Sequence, residues 1–254
     1  GKQYAVLTAQ GGVTGKFDTF VETAPFVDLD VSYDAKNVYL TVVGIAVAAF
    51  CDPSSTFNQC STGKAVASLP VGSDVLTAVT GLPTIAAGQA AFDQLSGEIY
   101  ASVRGVLLED SRHLREAGLG RLSECGAMGA QQAWAEGTGD WGRSDGDGNA
   151  AGLDRSQGLL LAGIEGGIGN GSCLGMMAGA GRSAIEADAR ASSADIDSYH
   201  VGLYGGTRFD SGLGVRLGAA LSWHDVSVER SIGFAGFSDR ASADVSGGTA
   251  QGFG

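Results

Sequence analysis

Hydrophobic and polar positions along the chain follow two different periods. From Leu95 to Glu116, "LSGEIYASVRGVLLEDSRHLRE", apolar residues recur at helical spacing, with Leu95, Ile99, Val103, Val106, Leu107 and Leu114 on one side. Three further rows share that helix. Arg104, Arg112 and Arg115 form a basic row, Glu98, Glu109 and Glu116 an acidic one, and Gly97, Ala101 and Gly105 a row of small residues. Asp110 and His113 intrude on the apolar side. The pattern predicts one helix starting near Thr84 or Ala90 and ending at Leu122. Beyond it the period falls to two. "HVGLYGGTRF" puts Val201, Leu203 and Phe209 opposite His200, Tyr204 and Arg208. "GVRLGAALSWHDVSV" puts Val215, Leu217, Ala219, Leu221 and Trp223 opposite Arg216, Gly218, Ser222 and His224. "LLLAGIEGGIG" sets Leu160, Ala162, Ile164 and Ile168 against a face carrying Glu165, and "CLGMMAGAG" alternates Met176 with Met177.

The segments joining these strands alternate in length. "GRSDGDGNAAGLDRSQ", "EADARASSADID" and "RSIGFAGFSDRASADVSG" are long and polar, whereas "GNGS" and "DSG" are short. Long loops at one end, short turns at the other and one apolar face describe a transmembrane β-barrel. A bilayer admits only helices and closed barrels, because every backbone polar group must be paired internally. Such a barrel gives the four-striped helix its surroundings, a lumen lined by polar and small side chains. Arg104 and Arg112 are expected to pair there with Glu136 or Glu165, and glycines on the lumen face leave room for the helix. If the row of Gly97, Ala101 and Gly105 meets a crowded wall, Trp at any of them blocks display of the exported part.

The first residues read differently. "YAVLTA" is a strand, "GGVTGKF" a turn and short strand, and "VSYDAKNVYLTVV" a hairpin turning at Asp34-Ala35-Lys36-Asn37. After about residue 51, Pro53, Pro70 and Pro83 punctuate Ala-rich pieces, which predicts short helices. Four regions follow: 1–50 (β), 51–91 (helical linker), 92–122 (pore helix) and 123–254 (five to six barrel strands). The fold expected is mainly β, a partial antiparallel transmembrane barrel with a central helix.

Composition narrows the possibilities. A formal charge of −12 over 254 residues argues against nucleic-acid binding, which needs a basic patch. The 42 glycines have no three-residue period, which excludes collagen, and 44% apolar residues argue against disorder. The longest apolar run, "VVGIAVAAF", is too short for a spanning helix of ~20 residues. The chain begins at Gly1 and shows no signal peptide, so it reads as an internal piece of a longer protein. Of the four cysteines, Cys51 and Cys60 bracket an Asp52-Pro53 turn, which suggests a local disulfide, with two free thiols as the alternative. No histidine lies near a cysteine pair, so no zinc site is expected, and no cofactor or other metal.

These features in this order resemble the C-terminal part of autotransporters, the type V secretion proteins of Gram-negative bacteria. "YAVLTAQGGVTGKFDTF" and "VSYDAKNVYLTVV" are similar to the last passenger segment of the pertactin-like group. "NQC…AVASLP" resembles the family's linker at Asn58 and Gln59, and "AFDQLSGEIYASVRGVLLEDSRHLREA" its helix through Phe92, Leu95, Ser96-Gly97-Glu98 and Ala101-Ser102. "AWAEGTGDWG" resembles the first barrel strand and "TAQGFG" the start of the sixth. The resemblance implies a β-solenoid passenger exported to the cell surface and a twelve-stranded outer-membrane barrel with the helix in its pore. It implies partners too: outer-membrane lipid, the barrel-assembly machinery, periplasmic chaperones and the protein's own passenger, in a monomer. Two departures stand out. Only about half the family's strands are present and no terminal aromatic is found, so the chain reads as truncated. No Asn-Asn pair marks a self-cleavage point in the helix, and Asp110 reads as a pore charge. The implied topology sets Cys125 and Cys173 at one membrane end of paired strands, which suggests a second disulfide in the oxidising periplasm.

Two motifs compete. "GAGRSA" at 179–184 matches a dinucleotide fingerprint, yet the segments around it alternate as strands. "DGDGN" at 145–149 resembles a calcium loop, but Ala150 and Ser156 stand where glycine and glutamate belong, so it reads as a solvated loop. No Ser–His–acid cluster suggests an enzyme. Besides the translocator, two readings remain: an adhesin whose binding residues lie upstream, and a soluble β-rich carbohydrate-binding module.

Overall fold

The computed structural model describes residues 2–123 and 131–254. They divide into two compact units. The first holds Gly1–Ser96 with Gly148–Ala150 and Ser231–Arg240; the second holds Gly97–Asp147, Ala151–Arg230 and Ala241–Gly254.

In the first unit, β1 (Gln3–Thr8), β2 (Val27–Tyr33) and β3 (Asn37–Ile45) form an antiparallel sheet in the order β1-β3-β2. The β2–β3 turn is organised by Asp34. Its carboxylate accepts hydrogen bonds from the Lys36 and Asn37 backbone N–H groups at 2.7 Å, the Asn37 amide at 3.0 Å and the Tyr39 hydroxyl at 2.7 Å. This is an Asx turn, in which the side chain replaces a missing backbone acceptor. Three short helices follow: α1 (Phe57–Ala67), α2 (Asp74–Thr80) and α3 (Ile85–Leu95). They close over Phe26, Phe50 and Phe92, whose rings meet edge-on at 5.2 Å (Phe26–Phe50) and 6.2 Å (Phe26–Phe92). Packing is close enough that a Cβ at Gly63 would lie 1.8 Å from the Phe50 carbonyl oxygen, and one at Gly88 2.1 Å from the Phe26 ring. A disulfide joins Cys51 to Cys60.

In the second unit, α4 (Glu98–Arg121) lies on the inner face of a six-stranded antiparallel meander. Its strands are β4 (Gln132–Ser144), β5 (Leu153–Gly169), β6 (Ser172–Ala187), β7 (Ser192–Arg208), β8 (Gly214–Phe234) and β9 (Phe237–Phe253). They pair in sequence order, with β4 and β9 as the outer strands, so the described sheet is not closed.

Two expectations need correction. The single helix through Leu95 is two helices. α3 ends at Leu95, Ser96 turns extended (φ −60°, ψ 136°), and α4 starts at Glu98. Ser96 competes for backbone hydrogen bonds and Gly97 carries a large entropy cost in a helix, so the adjacent pair breaks it. The long polar loops are also shorter than expected. β6 and β7 are joined by Asp188–Arg190 and Ala191, and β8 and β9 by Ala235-Gly236, both with positive φ. The strands continue through the polar segments because alternation continues there: Val226, Val228 and Ile232 stay buried while Asp225, Ser227 and Glu229 point out. "GAGRSA" lies within β6 and opens no helix.

Candidate functional site: the helix in the strand lumen

The register of the sheet fixes its two faces. Leu160, Ala180, Tyr199 and Trp223 stand side by side across β5–β8. All four point away from α4, and Tyr199 and Trp223 are 55% and 52% exposed. On the side of the short turns the outward residues are apolar: Ile164, Leu174, Met176, Val201, Leu203, Val215, Leu217 and Leu221 all expose large surfaces. On the other side they turn polar at once, with Arg182, Asp195 and Asp197, then Asp225, Ser227 and Glu229. From Val215 to Trp223 the band runs about 27 Å along β8, or about 20 Å in height at the usual strand tilt, close to the ~25 Å apolar belt of outer-membrane barrels. A paired Tyr and Trp at its edge form one arc of an aromatic girdle. No helix among the described residues is long and apolar enough to cross a membrane, a fact that leaves strand crossing untouched.

The opposite face meets α4 in three tiers. At the helix start, Ile99, Val103 and Val106 pack on Ile185, Ile196, Val226 and Val228. Glu98 accepts from Arg190 Nε at 3.2 Å and from the Ala151 N–H at 2.5 Å. Midway, Arg155 of β5 reaches Glu109 (2.6 Å) and Asp110 (3.7 Å) of the helix and Asp140 (2.9 Å) of β4. His113 meets Asp140 at 3.1 Å, Ser183 donates to Asp110 at 2.6 Å, and Arg115 donates to Gln251 at 3.1 Å. At the helix end, Leu114, Ala117 and Leu122 pack on Leu159, Leu161, Met177 and Ala220. There Glu165, 3% exposed, forms an ion pair with Arg121 and accepts from Gln132 and Tyr204, each at 2.8 Å. Trp134 donates to the Tyr204 oxygen at 2.7 Å, and the Arg121 guanidinium lies 5.6 Å from the Trp134 ring centre. Glu98, Glu109, Asp110 and Arg121, charges that would be costly in an apolar core, are matched here by partners opposite the helix, which is why a helix of mixed stripes sits there.

Residues 133–254 match the family model of the autotransporter β-domain. This stretch is an autotransporter β-domain. The chain is also 28% and 27% identical to two proteins of Serratia marcescens, each called "Extracellular serine protease". Both alignments run over 300 residues and cover 99% of this chain but 28% of the relative. The chain thus spans little more than a quarter of the length of the curated relatives it matches. No solved structure matches it. An autotransporter β-domain sits in the outer membrane with its passenger exported, and the apolar band around β5–β8 is the surface such a domain turns to lipid.

The helix residues singled out by sequence fall on both sides of α4 within this unit. Glu109 and Arg115 are engaged by the strands, and Glu98 by Arg190 of the β6–β7 turn and by Ala151. Ala101, Arg104, Gly105 and Arg112 lie on the side turned away from them, and Arg112 pairs with Glu116 one turn on at 3.5 Å. The expected pairing of Arg104 or Arg112 with Glu136 or Glu165 is therefore corrected: Arg121, a full turn beyond the predicted rows, takes Glu165. Glu136 is on the inner face beside His113, Ala117 and Arg121, around a cavity of about 440 Å³. Among the described residues the small row meets no crowded wall, since a Cβ at Gly105 would touch nothing within 4 Å; Gly97 precedes the helix and is exposed. Cys173 is disulfide-bonded and is the second residue of β6; Cys125 lies outside the described residues. Arg155, Asp140, Trp134 and Tyr204 were not singled out as partners of the helix. The period-two pattern carries their signal, since it puts each on the face of Glu165.

Proposed function

We propose that this chain is the translocator end of an autotransporter, through which a passenger joined to its N-terminal side leaves the cell, with α4 at rest in the lumen. One observation carries the reading: the same six strands turn an apolar, aromatic-edged band outward and a network of ion pairs and hydrogen bonds inward around a helix. A soluble carbohydrate-binding module has no use for the outer band, which would exceed the few hundred Å² of contiguous apolar surface that soluble monomers tolerate. Insertion of such a barrel needs periplasmic chaperones and the barrel-assembly machinery, because its apolar band has to be shielded from water until it meets lipid. Catalysis is not part of the proposal. Ser198 meets His224 Nδ1 at 2.8 Å, but the far nitrogen of His224 faces Thr249 at 3.1 Å and, among the described residues, no carboxylate completes a triad. The relatives' name suggests that the exported passenger is the protease. Surface labelling of intact cells expressing the full-length protein tests the translocator role. Passenger accessible to a membrane-impermeant reagent supports it; passenger labelled only after lysis overturns it.

A further inference from the structure

The apolar band is unevenly covered. The register lines up its outward residues in rows across the strands. Leu160, Ala180 and Tyr199 form the girdle row of β5–β7, and Ala162, Ala178 and Val201 the next row toward the short turns. On the other side of the girdle stand Gly158, Arg182 and Asp197. The small residues leave two grooves between the taller side chains. One, of about 1040 Å³, runs over Ala162 and Ala178 between Ile164, Met176, Leu203 and Leu221. The other, of about 550 Å³, lies over Gly158 and Ala180 and is edged by Leu160, Tyr199 and Arg182. Ala178 and Ala180 are two positions apart on β6, about 7 Å, so the grooves adjoin as one trough. Its floor is apolar and its mouth is charged. Arg182, with its side chain 67% exposed, is held at the mouth by Asp195 at 3.2 Å and Asp197 at 3.9 Å. A guanidinium has five N–H donors, more than these two contacts use.

We propose that the trough holds one phosphorylated glycolipid of the outer leaflet, with an acyl chain laid over Ala180, Ala178 and Ala162 and a phosphate at Arg182. The inference rests on the translocator reading, which puts the β4–β5 and β8–β9 connections, grouped with the first unit, on the exported side. Arg182 lies toward that end of β6, so the mouth opens into the outer leaflet. Glycolipid phosphates in that leaflet are paired with divalent cations. One guanidinium between two carboxylates complements such a pair, with the cation toward Asp195 and Asp197, and disfavours a bare anion. Lipid covers the whole band. At this mouth, however, the head group gains charge-assisted hydrogen bonds that a lipid lying over Leu217 lacks, so this one exchanges more slowly than its neighbours.

Native mass spectrometry tests this. The full-length protein is folded into phosphatidylcholine vesicles holding a minor share of rough-form lipopolysaccharide with magnesium, then extracted in mild detergent and weighed. One lipopolysaccharide per folded wild-type chain is expected. Arg182→Ala is expected to lower its retention about tenfold, the factor for a hydrogen bond to a charged group. Ala178→Phe fills the trough from the lipid side and is expected to lower retention with Arg182 intact. Arg143→Ala removes another exposed arginine of the outer face, paired with Asp154 at 3.7 Å, and is expected to retain the lipid as wild type does. Equal retention by all four folded proteins overturns the site, and so does loss from Arg143→Ala as large as from Arg182→Ala. Phosphatidylcholine retained in its place, or a second copy of the chain bound through this face, overturns the choice of occupant. Wild-type protein that does not fold into the vesicles overturns the translocator reading and the site with it.

Discussion

Glu165 is the residue on which the lower lumen network converges. Its two oxygens serve Arg121, Gln132 and Tyr204, and Tyr204 in turn holds Trp134. Glu165→Ala strands a guanidinium whose side chain is 30% exposed and a buried phenol, and removal of one partner from such a pair costs about 3 kcal/mol. Urea unfolding in lipid vesicles, followed by Trp fluorescence, is expected to show that loss. Glu165→Gln retains an acceptor oxygen and is expected to lose less. A second residue-scale expectation concerns Asp34, outside the membrane-spanning strands. Hydrogen bonds from the Asn37 side chain, the Lys36 N–H and the Tyr39 hydroxyl hold its carboxyl well below the usual carboxylate range. The depressed value means that the ionised form stabilises the turn above the unfolded carboxyl range, and that this contribution is lost only as pH falls through the lowered value. Carbon-13 NMR of the side-chain carboxyl is expected to show Asp34 titrating below the usual carboxylate range. A normal midpoint would mean that the turn bonds are not formed in solution.

At the scale of elements, α4 shows what helical spacing conveys and what it omits. Its apolar stripe is where the pattern puts it, with Ile99, Val103, Val106 and Leu114 buried. The helix boundary was not legible, because Ser96-Gly97 fits a helix pattern by periodicity and breaks it by backbone energetics. Nor did spacing say which charged row meets the strands, since that depends on how the helix is rotated against a wall of unknown shape. Strand facing, by contrast, was legible from β5 onward: Tyr204, Glu165 and His224 are inside and Leu203, Leu221 and Trp223 outside, because alternation admits no intermediate. Loop lengths were overestimated because polar alternating strands were read as loops. The two small residues on opposite sides of α4 make the rotation testable. A Cβ at Gly118 would sit 3.1 Å from the Phe253 ring and 3.6 Å from Tyr204, whereas one at Gly105 meets nothing. Gly118→Leu is expected to cost about 1–3 kcal/mol through overpacking. Gly105→Ala is expected to gain up to about 1 kcal/mol of helix propensity. The reverse order in urea unfolding would mean that the helix is turned the other way.

For the whole molecule, the decisive property is that hydrophobicity changes sign along the outer face at a single line of residues. Leu203 sits two positions from Val201 and four from Tyr199 on the short-turn side, within the apolar band and paired with Ala219. Glu229 sits on the same face six positions beyond Trp223, among polar neighbours, and is exposed. In water the two sites would respond alike to a new cation: Leu203→Arg on a solvated sheet costs little, and so does Glu229→Arg. In a bilayer they differ, because Arg near the midplane costs about 2–4 kcal/mol while the same side chain beyond the girdle costs about 0–1 kcal/mol. Folding of the full-length protein into vesicles, read by resistance to unfolding on gels without heating, is therefore expected to fail or weaken for Leu203→Arg and to proceed for Glu229→Arg. The comparison separates lipid from water as the medium of this face without reference to the passenger. Equal folding of both variants would remove the membrane from the explanation of the sheet, and with it the reason for a charged helix to be sheltered behind one.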